Sequence, residues 1–441
     1  MKSKKSVIGT AVVLTVVFWL TSLEAGGQRP NLKAALKAAN WIRSAALQTP
    51  QGTTWLADPN DPKTVNNSLY AGTPGIVLFF LEAYNSTADK DFLKDACAGS
   101  DYLLSTLAEE KGAGLYEGLS GIGFALAETY KASQVTKYKD GFLSCLEKIK
   151  ASASQAGQGI EWGTVTDIIS GDAGTGLFLI YSSHELKDPA WLALAEKAGA
   201  RLIELGKPEA GGLKWAMDPG FPRLMPNFSH GTAGIAYFLA SLYKETGKKE
   251  YHDAALAGAR YLTKIAKTEG DICLIFHNEP DSKNLYYLGW CHGPVGTAQL
   301  FCRLYQVTKD KTWLEWLRKS ARGITESGIP EKQTPGFWNN AGICCGLAGV
   351  GDFFLNLYRL TKEKTYLDFC RRLTAQLLAK ATVEGDKMKW IQAEHRIKPD
   401  LLIAQTGLMQ GAAGIGMFLL HLDDFEQGKT SLILFPDAPY K

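Results

Sequence analysis

The sequence predicts an all-α protein, a double-layered α/α toroid of seven inner and seven outer helices. Three observations lead there. A short glycine-framed turn recurs seven times: GTPG (Gly72–Gly75), GLSG (Gly118–Gly121), GDAG (Gly171–Gly174), HGTAG (His230–Gly234), CHGPVG (Cys291–Gly296), CCGLAG (Cys344–Gly349) and GAAG (Gly411–Gly414). An apolar run follows each turn at once. Amphipathic stretches lie midway between the turns.

The post-turn runs read IVLFFLEAY, IGFALAETY, TGLFLIY, IAYFLASLY, TAQLFCRLY, VGDFFLNLY and IGMFLLHL. A helix apolar nearly all round belongs in an interior, so these are the inner helices. Lys90–Leu107, Tyr251–Ala266, Trp313–Thr325 and Tyr366–Ala381 each carry one apolar stripe and a charged face. That pattern marks outer helices. Copies that bury their apolar faces only against neighbours form one closed unit. The long connections Leu205–Pro226, Asp271–Leu288 and Val383–Gln405 are expected to hold loops or short strands at one end. In the turns, glycine is expected for tight backbone approach and positive φ. The converging helix N-termini would favour anions, thiolates included, at the centre of that face.

The chain of 441 residues carries 48 Lys+Arg against 45 Asp+Glu, a net charge of +3. That balance gives no reason to expect a nucleic-acid partner. Lys2, Lys4 and Lys5 precede an apolar run from Val7 to Leu20, followed by Ser22-Leu23-Glu24-Ala25-Gly26. A basic start, a short apolar stretch and small residues describe a secretory signal or an uncleaved N-terminal membrane anchor. Residues 1–26 are therefore set apart from a toroid domain spanning 27–441, and the protein is expected to be exported, periplasmic or secreted, and monomeric. Sequons at Asn66, Asn85 and Asn227 decide nothing.

Of eight cysteines, Cys97, Cys145, Cys302 and Cys370 lie in helix-like apolar stretches and read as packing residues. Cys291, Cys344 and Cys345 stand in the fifth and sixth turns, on neighbouring inner helices. Three thiolates with a vacant fourth position suit a tetrahedral sulfur-preferring ion, Zn²⁺ first; a disulfide across the two turns and plain packing are the alternatives. His230 occupies the matching place in the fourth turn. It reads either as a cap or as a general acid/base beside the metal. Asp167, four residues before the third turn, is a cap candidate.

The ordered series SHGTAG, GWCHGPVG and CCGLAG on this repeat resembles the lanthionine synthetase C (LanC) family of thioether-forming cyclases, from roughly Leu32 to Leu422. The resemblance implies a catalytic zinc held by Cys291, Cys344 and Cys345, the last standing where most members have His. It implies that His230 handles the proton, that Asp167 orients His230, and that His292 is a second proton donor or a partner of a zinc thiolate. Many bacterial members have Arg where this chain has Tyr287. Three thiolates would leave the zinc site at −1, so an incoming thiolate is less acidified but more electron-rich.

The activity so implied is addition of a cysteine thiol to a dehydrated Ser or Thr residue. The partner is a dehydrated peptide or protein, with glutathione as an alternative thiol. The chain has no room for a dehydratase domain. Two other readings stand beside it. One is a secreted glycan hydrolase or lyase using Asp167 and Glu117 as paired carboxylates. The other is a non-catalytic zinc- and thiol-binding protein. His184, His252, His277, His395 and His421 receive no role. The aromatics Trp55, Phe79, Phe80, Trp215, Phe221, Phe337 and Trp338 are expected mostly in the core, with a peptide groove as the alternative.

Overall fold

The computed structural model describes residues 29–221 and 223–440; the signal or anchor segment 1–26 lies outside them. Among the described residues fourteen helices alternate between two layers. The inner seven are α2 (Thr73–Thr87), α4 (Leu119–Ser133), α6 (Asp172–Leu186), α8 (Thr232–Thr246), α10 (Pro294–Thr308), α12 (Leu347–Thr361) and α14 (Ala412–Glu426), each of 15 residues. The outer seven are α1 (Pro30–Ser44), α3 (Lys90–Thr106), α5 (Thr136–Ser152), α7 (Pro189–Leu205), α9 (Lys249–Ile265), α11 (Lys311–Thr325) and α13 (Lys364–Ala379). The expected toroid is therefore present. The first outer helix α1 packs on the last inner helix α14, which closes it. Among the described residues no helix is long and apolar enough to cross a membrane.

Three of the outer helices begin with a side-chain cap. Asp89, Asp188 and Asp310 each accept a hydrogen bond from the backbone N–H two residues on. The inner helices use no side-chain cap. Their N-cap glycines, from Gly72 to Gly411, follow a loop that doubles back, so that carbonyls seven residues upstream accept from the first-turn N–H groups. Examples are Leu119 N to Gly112 O (2.7 Å), Gly174 N to Asp167 O (3.0 Å) and Ala412 N to Gln405 O (2.8 Å). Many donors expected to be free for an anion are thus already bonded within the chain.

Positive φ is not what the turn glycines supply. The N-caps are extended, for instance φ −120° at Gly293, Gly346 and Gly411. Glycine is needed because the doubled-back strand touches it: a Cβ on Gly231 would sit 1.4 Å from Met225 O, and one on Gly414 1.8 Å from Leu408 O. Positive φ falls at the opposite face, where six inner helices end on Ala88, Gln134, Lys187, Gly247, Lys309 and Lys362, with φ of 54–68°.

Between outer helices and the next turn lie short antiparallel hairpins: β1 (Ala46–Thr49) with β2 (Gly52–Trp55), β3 (Ser154–Ala156) with β4 (Gly159–Glu161), β5 (Lys207–Glu209) with β6 (Gly212–Lys214), and β7 (Thr382–Glu384) with β8 (Lys387–Lys389). A further pair, β9 (Gln392–Ala393) and β10 (Leu402–Ile403), flanks a loop over the turn face. Of the three long connections expected to hold loops or short strands, two carry strands. Asp271–Leu288 holds only isolated bridges, and β1–β4 were not foreseen. The hairpins lean on the next outer helix, β8 on α1 included. A tryptophan shortly after the second strand ties three of them down: Trp162, Trp215 and Trp390 each donate from Nε1 to the carbonyl 13 residues earlier, at 2.6–2.8 Å. Trp55, Phe79, Phe80 and Trp215 are core residues, whereas Phe221 is exposed.

The end of the ring away from the turns is filled by the C-terminal segment. Leu432 N and Ile433 N donate to the buried Glu82 carboxylate, and Phe435 packs on Phe124. Asp437, 3% exposed, accepts from the Tyr116 hydroxyl at 3.1 Å. Burial lifts its carboxyl to about 6. Tyr116 in turn packs on Trp290, the residue before Cys291. The tail thus reaches the underside of the turn face.

Two outcomes follow. Gly231→Ala forces the doubled-back strand away from α8 and is expected to cost about 3 kcal/mol or more, whereas Gly220→Ala, whose Cβ meets nothing nearer than 3.4 Å, stays within about 0.5 kcal/mol; chemical denaturation of both measures the contrast. His421 on α14 lies 3.2 Å from Asp352 and 3.8 Å from Glu82. Burial alone would lower its pKa, but the two carboxylates outweigh that and hold it at about 9, above the ordinary 6.5. Its contribution is therefore fully present below pH 6.5 and lost as pH rises through about 9. Denaturation midpoints should fall across that window, and less so in His421→Gln.

Candidate metal centre

The seven turns are stitched to one another by backbone hydrogen bonds. The residues two places before the N-cap glycines are Tyr70, Tyr116, Ile169, Ser229, Cys291, Cys344 and Met409. Tyr70 N donates to Tyr116 O (3.1 Å), and Tyr116 N to Ile169 O (2.8 Å). Ile168 N continues to Ser229 O (3.2 Å), Ser229 N to Cys291 O (3.0 Å) and Cys291 N to Cys344 O (3.2 Å). Cys344 N then reaches Met409 O and Met409 N returns to Tyr70 O, both at 2.8 Å, closing the circle. Side chains one residue nearer the helix (Glu117, Ser170, His230, His292, Cys345 and Gln410 among them) face the same cavity of about 630 Å³.

This frame brings the three predicted cysteines together. Their Sγ atoms lie within 4.8 Å of one another, all buried. Cys291 and Cys345 are 3.2 Å apart and Cys345 and Cys344 3.3 Å. Those separations are far beyond a disulfide bond of about 2.05 Å, and all eight cysteines are free. A tetrahedral ion at about 2.3 Å from each sulfur needs sulfurs about 3.8 Å apart. An outward shift of a few tenths of an ångström reaches that, so the residues fit a thiophilic divalent metal. Without one, hydrogen bonds from Cys291 and then Cys345 hold the Cys344 thiol well below its ordinary value, while Cys291 and Cys345 are pushed up. Cys97 is half-buried; Cys145, Cys302 and Cys370 are buried among apolar side chains, and burial pushes these three thiols up to about 12.

Asp167 and His230 also meet. His230 Nδ1 is 2.5 Å from Asp167 Oδ2. Asp167 Oδ1 accepts from Ser170 N (2.8 Å) and Gly171 N (3.0 Å), which fixes the buried carboxylate to its own turn. A carboxylate only accepts, so Nδ1 carries the proton of this bond and Nε2 is the ring nitrogen left for the cavity. Both carboxylate oxygens of Asp167 are engaged, which leaves it poorly placed to act on a glycosidic bond with Glu117, itself bonded to Ser170 Oγ at 3.0 Å. His292 is buried beside His230, with ring centres 5.5 Å apart. Burial first, then the charges of His230 and His277, hold its pKa well below 6.5, so its ring is neutral.

Several cavity residues carried no signal in the sequence reading. Tyr70 and Gln410 stand at repeat positions of the first and seventh turns. Gln410 Nε2 donates to Tyr70 Oη (3.1 Å) and lies 3.9 Å from Cys345 Sγ. Aligning all seven turns on their N-cap glycines would have found them. His277, Arg223, His395 and Arg396 come from the long connections and also line the cavity; Trp338, expected in the core with a groove as the alternative, is buried and lines it too. No repeat position marks them. Burial, with Arg396, His230 and Arg223 nearby, lowers His277 to about 4.

The chain matches the family described as lanthionine synthetase C-like protein over residues 63–438. Over 139 residues it is 24% identical to the protein named glutathione S-transferase LANCL1 of Danio rerio, a match covering 32% of this chain and 32% of that protein. The chain thus spans about a third of the length of the curated relative it matches. The structure superposes on nisin cyclase with a TM-score of 0.64 at 17% identity, over 93% of this chain and 97% of that one. A GH76 α-mannanase of Bacteroides thetaiotaomicron gives 0.51 at 11% identity, over 91% and 97%. At these identities both likenesses are of fold.

Protein purified without chelator is expected to carry about one divalent ion per chain. Cys291→Ala should lose it and leave Cys344 and Cys345 open to thiol reagents. Elemental analysis with thiol titration measures both; a variant that keeps its metal overturns the three-sulfur centre.

Proposed function

From the premise that this chain belongs to the lanthionine synthetase C-like family, we propose that it is a zinc enzyme joining a thiol to a dehydrated Ser or Thr residue to form a thioether. The observation that carries the reading is the buried trio Cys291, Cys344 and Cys345 opening on the same cavity as the Asp167–His230 pair. Bound zinc supplies the Lewis acidity that makes a thiol ionise near neutral pH.

The chain's own residues do the rest. Asp167 fixes the His230 tautomer, so Nε2 accepts the proton that the incoming thiol gives up. The sulfur then bonds to the β-carbon of the dehydro residue, and the π pair moves toward the α-carbon and its carbonyl. His230 returns its proton to the α-carbon, so the sum is addition of S–H across C=C with no change of redox state. His292, being neutral and buried, offers an N–H rather than an imidazolium. Trp338 and Tyr287 supply apolar wall that limits water at the reacting atoms. Held by Cys291, Cys344 and Cys345 as thiolates, a zinc ion would leave the site at −1, which would favour a strongly nucleophilic incoming sulfur.

The dehydrated partner is a peptide or protein made by a separate dehydrating activity. The thiol is either a cysteine of that same chain or a small thiol such as glutathione. The basic, apolar and small residues of the segment 1–26 support export to the periplasm or beyond, as a cleaved or anchored protein.

The test uses one dehydroalanine peptide with a cysteine and its cysteine-free counterpart offered glutathione. Ring closure leaves the mass unchanged and removes the alkylatable thiol; intermolecular addition raises the mass by one glutathione. Wild type is expected to give one of these products, and His230→Ala to slow it about 10²- to 10⁴-fold while retaining its zinc. A zinc-loaded wild type that forms neither product leaves the non-catalytic thiol-binding reading in its place.

A further inference from the structure

The end of the ring opposite the metal centre holds a second cavity, of about 230 Å³. Inner helices α4, α6, α8 and α10 line it, and Leu432, Leu434 and Phe435 of the C-terminal segment form its remaining wall. Two of the lining residues are charged, buried and incompletely matched. Arg303 of α10 is 6% exposed. Its Nη2 donates to Tyr237 Oη (2.8 Å) and its Nη1 to Gln306 Oε1 (3.2 Å), both uncharged groups. Its Nε is buried with no partner, and among the described residues no carboxylate lies within 4.0 Å of the guanidinium. Glu128 of α4 is 2% exposed. Its Oε1 accepts from Tyr181 Oη (2.7 Å) and Lys131 Nζ (2.9 Å), whereas Oε2 is buried with no donor. The remaining charges of the cavity are paired: Lys131 with Glu128 and Glu185, and both Lys244 and His184 with Glu245, at 2.9–3.3 Å.

We propose that this cavity binds a short linear zwitterion of dipeptide size, with its carboxylate on Arg303 and its ammonium on Glu128. A buried donor and a buried acceptor left unmatched are each costly, and a native interior rarely keeps them without a reason. The two do not satisfy one another, because α6 and α8 stand between their helices in the ring. A simple anion would meet Arg303 but face the carboxylate of Glu128, and a simple cation would do the reverse. A molecule with both charges matches both groups and adds no net charge to the interior. In an α-amino acid the two charges share one carbon. Here the groups come from helices two apart in the ring, so the charges belong at the ends of a longer molecule. Pockets for drug-sized ligands run to about 300–1,000 Å³, and this one is smaller. Leu177 and Ile180 of α6, with Leu432, Leu434 and Phe435, supply apolar wall for the uncharged middle. An occupant would also tie the C-terminal segment to the inner helices.

Full chain is titrated calorimetrically with alanyl-leucine, N-acetyl-alanyl-leucine and alanyl-leucine amide. Alanyl-leucine should bind, and acetylation or amidation should each weaken it about 10-fold or more, the loss of one charge-assisted hydrogen bond. Arg303→Gln should remove the penalty for amidation and keep the one for acetylation; Glu128→Gln should do the opposite. Cys291→Ala should bind alanyl-leucine as tightly as wild type, which separates this site from the metal cavity and from the thiol-addition reading. Amide hydrogen exchange of residues 432–436 should slow when the dipeptide is bound. A wild type that binds none of the three, or binds all three equally, overturns the site and leaves ordered water as the partner of both groups. So does an affinity for alanyl-leucine that is lost in Cys291→Ala, or one unchanged in both Arg303→Gln and Glu128→Gln. The capping series on wild type and on Cys291→Ala decides the matter even where a buried-charge variant fails to fold.

Discussion

The circle of backbone hydrogen bonds through the seven turns is the constraint on which the rest depends. Each link but one joins a position two residues before one N-cap glycine to the same position in the next turn; the third starts one residue earlier, at Ile168 N, and the last link returns to the first. Backbone polar groups buried at the centre of a helical ring must find partners, and here they find each other. The circle fixes how far apart the turns sit, so side chains at matching positions meet whatever their identity. Glycine is required because two strands of backbone pass within contact of each helix start, not because the dihedrals are unusual.

A frame of this kind separates fold from chemistry. The backbone is satisfied by itself, so the side chains at the turn positions are free to vary. Two turns supply sulfur, one supplies His230, and one supplies Glu117, while the first and seventh contribute Tyr70 and Gln410 against the sulfurs. Clustering three thiols in a buried site is a cost, because a charge formed there is removed from water. The S–H donors that Cys344 receives offset part of that cost. On the other side of the circle Tyr116 and Trp290 form an aromatic floor, supported from below by Asp437 of the C-terminal segment. The centre is thus packed on one side and open on the other.

The cavity mouth is built differently. Its rim comes from the longest connections, which carry Arg223, His277 and Arg396. These loops are not held by the repeat, so their residues are the ones through which toroids of the same backbone acquire different substrates. The likeness to both nisin cyclase and an α-mannanase illustrates how little the toroid alone says about chemistry.

Much was legible in the sequence because the repeat is written in local terms. Glycine spacing and unbroken apolar runs marked all seven inner helices, each N-cap falling on the first glycine of its motif. Cys291 and Cys344 shared one place in the unit, and Cys345 and His230 the next, so their meeting followed from the ring. Asp167 was visible as a polar residue before a turn, though its contact with His230 was expected only through family resemblance. The conformation of the turns was misread, since close approach and positive φ both favour glycine and only coordinates distinguish them. His277 and Arg396, some 120 residues apart in sequence, sit on connections without periodicity; nothing local records that Tyr287 stands between them. What repeats along the chain, the sequence determines by itself, because each unit answers to the same backbone geometry. What meets across the cavity from irregular loops is decided by the tertiary structure, because loop paths depend on packing against elements far away in the chain.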